Sequence, residues 1–110
     1  MNNLNSVLVE GNVSGNPKKI NNGDSRTVCM FFIESNRFYK KDDEQIKETS
    51  KFEIEVNGKL AETCMDCLRQ GRGVRIVGRL KQDVLTDSDG KETETMKIIA
   101  EHVDFKPNIK

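Results

Sequence analysis

The stretch KFEIEVN, residues 51–57, alternates polar and apolar side chains without interruption. Phe52, Ile54 and Val56 fall on one side; Lys51, Glu53, Glu55 and Asn57 fall on the other. Period-two alternation over seven residues predicts a half-buried strand. The apolar side must face a core. The polar side sets the functional question, because it meets either bulk water or a ligand.

The bulk composition narrows the answer. A chain of 110 residues suits one domain with a single core. Charged residues make up 33% of it against 35% hydrophobic, so the core is modest and the surface densely charged. Eighteen basic and eighteen acidic residues cancel, which removes any global attraction to nucleic acid and leaves only local patches to provide it. No apolar run approaches the roughly 20 residues that cross a bilayer. The N-terminal MNNLNSVLVEGN lacks the charged and apolar regions of a signal peptide. These features point to the cytoplasm and away from a membrane.

Three cysteines, an odd number, argue against a disulfide framework. Cys64 and Cys67 form a C-x-x-C, but a structural zinc site takes four ligands and only the distant Cys29 and His102 remain. On a helical wheel Leu60, Ala61, Cys64, Cys67 and Leu68 share one stripe, so both cysteines are expected in the core. No metal and no cofactor is expected, and His102 reads as a strand-end surface residue. The chain carries no nucleophile–histidine motif and no phosphate-binding glycine loop, so an enzyme is not expected. Alternating acids such as Glu53 and Glu55 are ordinary on a charged strand.

Five strands and one helix can be read along the chain. A strand over 4–13 leads to a turn at GNPKK, punctuated by Gly15 and Pro17. A second turn at NNGDS, residues 21–25, precedes TVCMFFIESN, apolar on both faces and therefore expected to be well covered. Residues 37–50 read as a long, polar hairpin loop with its tip at KKDDE. KFEIEVN follows, then a helix over 59–69 closed by Gly71 and Gly73. The strand VRIVGRLKQDVL carries Gly78 at its middle, where a bulge or bend is expected. DSDG at 87–90 signals a hairpin, and TETMKIIAEHV is the last strand. Three strands, a helix and two strands predict a mainly β, five-stranded oligonucleotide-binding (OB-fold) barrel with its helix between strands three and four. Pattern alone also admits a ubiquitin-like or other small α+β roll. The domain is expected over 1–106, with 107–110 a short end.

From Asn5 to about Val103 the sequence resembles the bacterial single-stranded DNA-binding protein family. The resemblance is carried by Gly11, Asn12 and Pro17 of a G-N-x-x-x-x-P phrase, and by Phe31, Ile33 and Ser35 of the second strand. It continues through the basic-aromatic NRFYKK, then GKLAE at 58–62 and RQGRGVRIVGRL at 69–80, and ends with Thr86, Asp87 and Gly90 of the last hairpin. It implies the OB fold and a homo-oligomer, a tetramer or a dimer. It also implies single-stranded DNA as partner, bound without sequence preference in replication, repair or recombination by a cytoplasmic, nucleoid-associated protein. Such binding is non-covalent: cations follow the phosphates and aromatic rings stack on unpaired bases.

Two basic groups suit that chemistry. Arg69, Arg72, Arg75, Arg79 and Lys81 run without an intervening acid, and strand parity puts Arg75, Arg79 and Lys81 on one face. Arg37, Lys40 and Lys41 bracket Phe38 and Tyr39. The expected phosphate contacts are Arg37, Lys40, Lys41, Lys51, Lys59, Arg72, Arg79 and Lys81. Tyr39 is the expected principal stacker, with Phe38 second, because one of the pair can turn toward the core.

The sequence also departs from the family. Of its four usual stacking positions, Tyr39 keeps the first, while Lys51, Asn57 and Leu85 occupy the others. Glu53 and Glu55 add negative charge to the same face. The chain ends at FKPNIK without the family's acidic tail, so tail-mediated recruitment is not expected. These departures suggest a divergent paralogue and a second reading: an OB-fold interaction module with weak DNA affinity that modulates a fuller family member.

Overall fold

KFEIEVN forms the barrel half of the third strand, and its register fixes the centre of the molecule. In the computed structural model, which describes residues 1–20 and 26–107, five strands and a helix follow one another along the chain. They are β1 (Val7–Ile20), β2 (Val28–Lys41), β3 (Glu44–Asn57), α1 (Gly58–Cys67), β4 (Gly73–Thr86) and β5 (Glu92–Phe105). The strands close in the order β1-β2-β3-β5-β4, the OB barrel, with the helix between β3 and β4.

Cross-strand pairing explains which face is which. Cys29, Phe31 and Ile33 of β2 stand opposite Val56, Ile54 and Phe52 of β3. Successive side chains alternate faces, so these residues point inward together. Phe31, Ile33, Ile54 and Val56 are buried, and Val74, Ile76 and Ile98 complete the core from β4 and β5. Burying each such side chain contributes about 1.5–3 kcal/mol. On β2 the outward residues Met30 and Phe32 are only partly covered, so its second apolar face is less sheltered than its composition suggests.

The strands run past the barrel, and this corrects two readings of the sequence. GNPKK is not a turn but part of β1. Gly15 takes a positive φ of 80°, Pro17 offers no N–H, and pairing with β2 breaks after Ser14 to resume at Lys18. The strand thus bends round the barrel without reversing. Residues 37–50 are not a loop either. Pairing runs from Val28↔Asn57 to Lys41↔Glu44 without a break, and only Asp42 and Asp43 turn the chain, both with positive φ. A two-residue turn of this hand matches the strand twist, so the polar stretch is a ribbon. With the β4–β5 ribbon it draws the molecule out to 51 × 36 × 34 Å. At the tip of that second ribbon Asp87 Oδ1 accepts the Asp89 and Lys91 amides and Gly90 takes φ 78°, as the DSDG signal predicts. The turn expected at 21–25 lies outside the described residues.

The helix is shorter than its sequence pattern. It ends at Cys67 because Leu68 adopts extended backbone, φ −83° and ψ 138°, while its N–H still donates to the Cys64 carbonyl. Of the two glycines expected to end it, only Gly71 is left-handed; its N–H donates to the Val13 carbonyl and ties the loop to β1. Gly73 already belongs to β4. The early end also separates the two cysteines. Ala61, Cys64 and Leu68 are buried, whereas Cys67 is exposed, which corrects its place in the core. Burial, with Cys29 and Cys67 adding to it, pushes the Cys64 thiol up to about 12, a protonated and unreactive side chain. Among the described residues no group of three or more His, Cys, Asp or Glu side chains could hold a metal ion. Nor is any helix there long and apolar enough to cross a membrane.

Gly78 sits at the bulge the sequence predicts. Val77 pairs with His102 and Gly78 with Ala100, leaving Glu101 unpaired. A Cβ on Gly78 would lie 2.1 Å from the Ile99 carbonyl oxygen, so the constraint is close approach of two backbones. Gly78→Ala is expected to cost at least about 2 kcal/mol in urea unfolding. Gly90→Ala, strained only by its φ and free of steric contact, is expected to cost about 1 kcal/mol. Equal losses would refute the close-approach argument.

Candidate nucleic-acid interface

The polar half of KFEIEVN opens onto a continuous outer face of the barrel. Lys51, Glu53 and Glu55 stand opposite Glu34, Phe32 and Met30 of β2. On the other side β3 meets β5 through only two pairs, Ile54↔Ile98 and Glu55↔Ile99, and β5 carries the face on to β4 through Ile99↔Arg79 and Lys97↔Lys81. Lys51, Arg79 and Lys81 therefore do share a surface, and all three are exposed.

Its electrostatic centre is a residue that sequence reading missed. The Lys97 ammonium lies 2.7 Å from Glu55 Oε1 and 2.8 Å from Asp83 Oδ2, with its side chain 15% exposed. Lys81 adds a longer contact, 3.9 Å to Asp83. Burial works against ionising Glu55, but hydrogen bonds from Lys97 and Asn57 outweigh it and hold the carboxyl below its ordinary value of 4.5. The Lys97 hydrogen bond likewise lowers Asp83 from 3.8. Burial opposes the charge on Lys97 too, and its two carboxylate partners reverse that and raise it above 10.5. Nothing local in TMKIIAEHV marks Lys97, because the cluster forms only when the β3–β5 register is known.

The remaining expected contacts divide by face. In the uninterrupted β2–β3 ladder Phe32, Phe38 and Lys40 lie on the same parity as Lys51. Arg37, Tyr39 and Lys41 lie on the opposite one, where Tyr39 pairs with Ile46 and the Arg37 guanidinium sits 6.0 Å from the Tyr39 ring centre. Phe38 is 60% exposed and Tyr39 38%. Lys59 is exposed on the first turn of α1. Arg72 is held elsewhere, its Nε donating to the Lys106 carbonyl and its guanidinium 5.8 Å from the Phe105 ring centre. Arg75, read as part of the basic face, is paired with Glu10 at 2.7 Å. Leu85 is exposed near the tip of the β4–β5 ribbon.

Two further residues were missed. Phe32 lies on the outer face with the Lys51 ammonium 5.1 Å from its ring centre. Lys47 pairs across the ribbon with Phe38. Counting parity from Phe38 back along β2 would have found Phe32; Lys47 required the ribbon to be recognised. Beside Lys51, where β3 and β5 part above their short seam, a cleft of ≈ 220 Å³ opens, walled by Phe52, Leu80, Met96 and Ile98 and rimmed by Lys51, Glu53 and Lys97.

A closed five-stranded OB barrel carrying a mixed basic and aromatic outer face defines a class of oligonucleotide-binding domains. The chain belongs to the single-strand binding protein family, whose model matches residues 4–106. It is 32% identical over 101 residues to the single-stranded DNA-binding protein of Aquifex aeolicus, a match spanning 91% of this chain and 68% of that protein. It is 30% identical over 105 residues to single-stranded DNA-binding protein 2 of Chlorobaculum tepidum, spanning 93% and 70%. Among solved structures, the Plasmodium falciparum SSB in complex with ssDNA superposes with a TM-score of 0.88 at 21% identity, covering 97% of this chain and 98% of that one. The small single-stranded DNA-binding protein of Streptomyces coelicolor gives 0.76 at 21% identity, covering 96% of each. At that identity the likeness establishes the shared fold.

The Lys97 cluster makes stability depend on pH with a defined sign. Glu55 and Asp83 ionise more readily in the folded chain, so their contribution is complete above their ordinary values and is lost as pH falls through the lowered ones. Lys97 contributes below its ordinary value and loses its effect as pH rises past the raised one. The stability difference between wild type and Lys97→Met is therefore expected to be largest between roughly pH 5 and 10 and to shrink on acidification, measured by urea unfolding. A pH-independent difference would mean that Lys97 acts only through the packing of its stem.

Proposed function

We propose that this chain binds single-stranded DNA without sequence preference, coating the strand rather than catalysing a reaction on it. The observation that carries the reading is family membership over nearly the whole chain, joined to a continuous outer face on which Phe38, Lys40, Lys51, Arg79 and Lys81 are exposed. Cations on that face neutralise phosphates and release counterions. Aromatic rings supply the discrimination for unpaired bases, each stack contributing about 1–3 kcal/mol. Phe38, on the face of Lys51 and more exposed than its neighbour, takes the principal stacking role in this ribbon. Tyr39 supports it from the other side with Arg37. Lys41, Lys59 and Arg72 lie off this face, and we assign them secondary phosphate contacts on the resemblance alone. The activity needs no metal or cofactor.

The wider setting we propose, with the same family membership as its support, is a single domain over 1–106 acting as a homo-oligomer, a tetramer or a dimer, on cytoplasmic nucleoid DNA in replication, repair or recombination. The interaction-module reading is not favoured, because the family match extends through the regions that carry the basic and aromatic residues. Glu53, Glu55 and Asp83 nevertheless lower the positive potential, so binding is expected to be weaker and less salt-sensitive than an acid-free face would give.

Fluorescence anisotropy with labelled oligo-dT across a salt series tests the proposal. Binding is expected at low salt, and its absence there would sink the reading. Phe38→Ala should weaken binding at every salt concentration. Arg79→Ala should instead flatten the salt dependence by about one unit of slope, and Asp83→Asn should steepen it by freeing a cation. Equal, negligible effects from all three would reject this face.

A further inference from the structure

Lys51, Asn57 and Leu85 stand where the resemblance implies stacking positions, yet the outer face is not without a ring. Phe32 belongs to β2, the strand next to KFEIEVN, and stands directly opposite Glu53. Its neighbour Phe31 is 2% exposed and fills the core, whereas Phe32 points outward and is only partly covered. Phe32 is neither in the core cluster nor packed against it, and part of its ring lies open among charged side chains. The Lys51 ammonium, 5.1 Å from its centre, covers one side of that ring. Phe38 lies on the same parity six residues further along β2, about 20 Å away in an extended strand. Lys40, Lys47 and Lys51 are the cations on this line.

We propose that Phe32 is a base-stacking site for unpaired DNA and that Lys51 is its attendant cation, so that the aromatic track of this chain runs along β2 through Phe32 and Phe38. The inference rests on the proposed single-stranded DNA binding and names where the bases sit. A cation over a partly exposed ring is held weakly, and an ammonium on a four-carbon stem is free to swing. An arriving base takes its place on the ring, and the displaced ammonium meets the adjoining phosphate. Lys51 of β3 thus supplies the charge, and Phe32 on the strand beside it supplies the ring. Glu53, opposite Phe32, disfavours a phosphate at that point and leaves the base as the part of the nucleotide that fits.

The test compares oligo-dT with an abasic deoxyribose-phosphate oligomer of equal length, both titrated against the full chain at low salt. Phe32→Leu is expected to weaken oligo-dT binding about fivefold or more while changing abasic binding less than twofold, and Phe32→Tyr is expected to restore it. No loss on oligo-dT, or an equal loss on both oligomers, would overturn the proposal. The chain has no tryptophan, so Phe32→Trp supplies a second readout that does not depend on the folding of the leucine variant. Its fluorescence should be quenched by oligo-dT and unaffected by the abasic oligomer, and the same response to both would count against stacking. Failure of the wild-type chain to bind oligo-dT would instead reject the proposed function itself. Binding by wild type with no effect at Phe32 would reject this site alone.

Discussion

Closure of the barrel depends on a seam only two residue pairs long. β3 and β5 run parallel and touch through Ile54↔Ile98 and Glu55↔Ile99, whereas every other strand junction is a longer antiparallel ladder. The seam is held from both sides. Inside, Ile54 and Ile98 are buried against each other in the core. Outside, Lys97 of β5 bonds to Glu55 of β3 and to Asp83 of β4, so one ammonium ties three strands together. Gly78 completes the arrangement, since only a residue without Cβ lets β4 approach the Ile99 carbonyl.

The shortness of this seam also shapes the surface above it. β3 and β5 separate immediately beyond the paired residues, and each continues into a ribbon with its other neighbour. The cleft beside Lys51 and the two projecting ribbons are therefore consequences of one topological fact. A sheet that must join parallel strands within an otherwise antiparallel barrel has few residues available for the junction. What it leaves open is a cleft between two ribbons of mixed charge, with Lys51, Arg79 and Lys81 the exposed cations on the face beside it.

Much of this was readable from the sequence, and the failures have physical causes. The strict alternation of KFEIEVN fixed a strand and its two faces. The order of strands and helix, the glycine in the fourth strand and the DSDG hairpin predicted the barrel. What the sequence obscured was continuity. Residues 37–50 and GNPKK look like loops because their side chains are polar, but a ribbon standing clear of the core has no need of apolar alternation. The helix was overestimated by two residues because Leu68 continues the helical stripe while its backbone is already extended. Exposed Cys67 is part of the same error. At the candidate site parity put Lys51 on the polar side of β3 and Arg79 with Lys81 on one face, and the strand register joins the two into one surface. Lys97 and Phe32 were missed, because one needs a partner register and the other was counted as covered.

The acidic residues on this face then acquire a structural explanation. Glu55 looked like an obstacle to DNA, but it is spent on Lys97 and the seam, with little of its side chain exposed. Asp83 is its counterpart on β4. The barrel thus closes by consuming a cation that would otherwise face the ligand, and the stability of the seam and the positive potential of the face draw on the same ammonium. On the proposed reading, basic residues outside the cluster, Lys51 and Arg79 foremost, carry the phosphate contacts, and Phe38 and Phe32 the bases. Fold and proposed function are linked at Lys97: strengthening the face electrostatically by removing a carboxylate weakens the closure that creates the face.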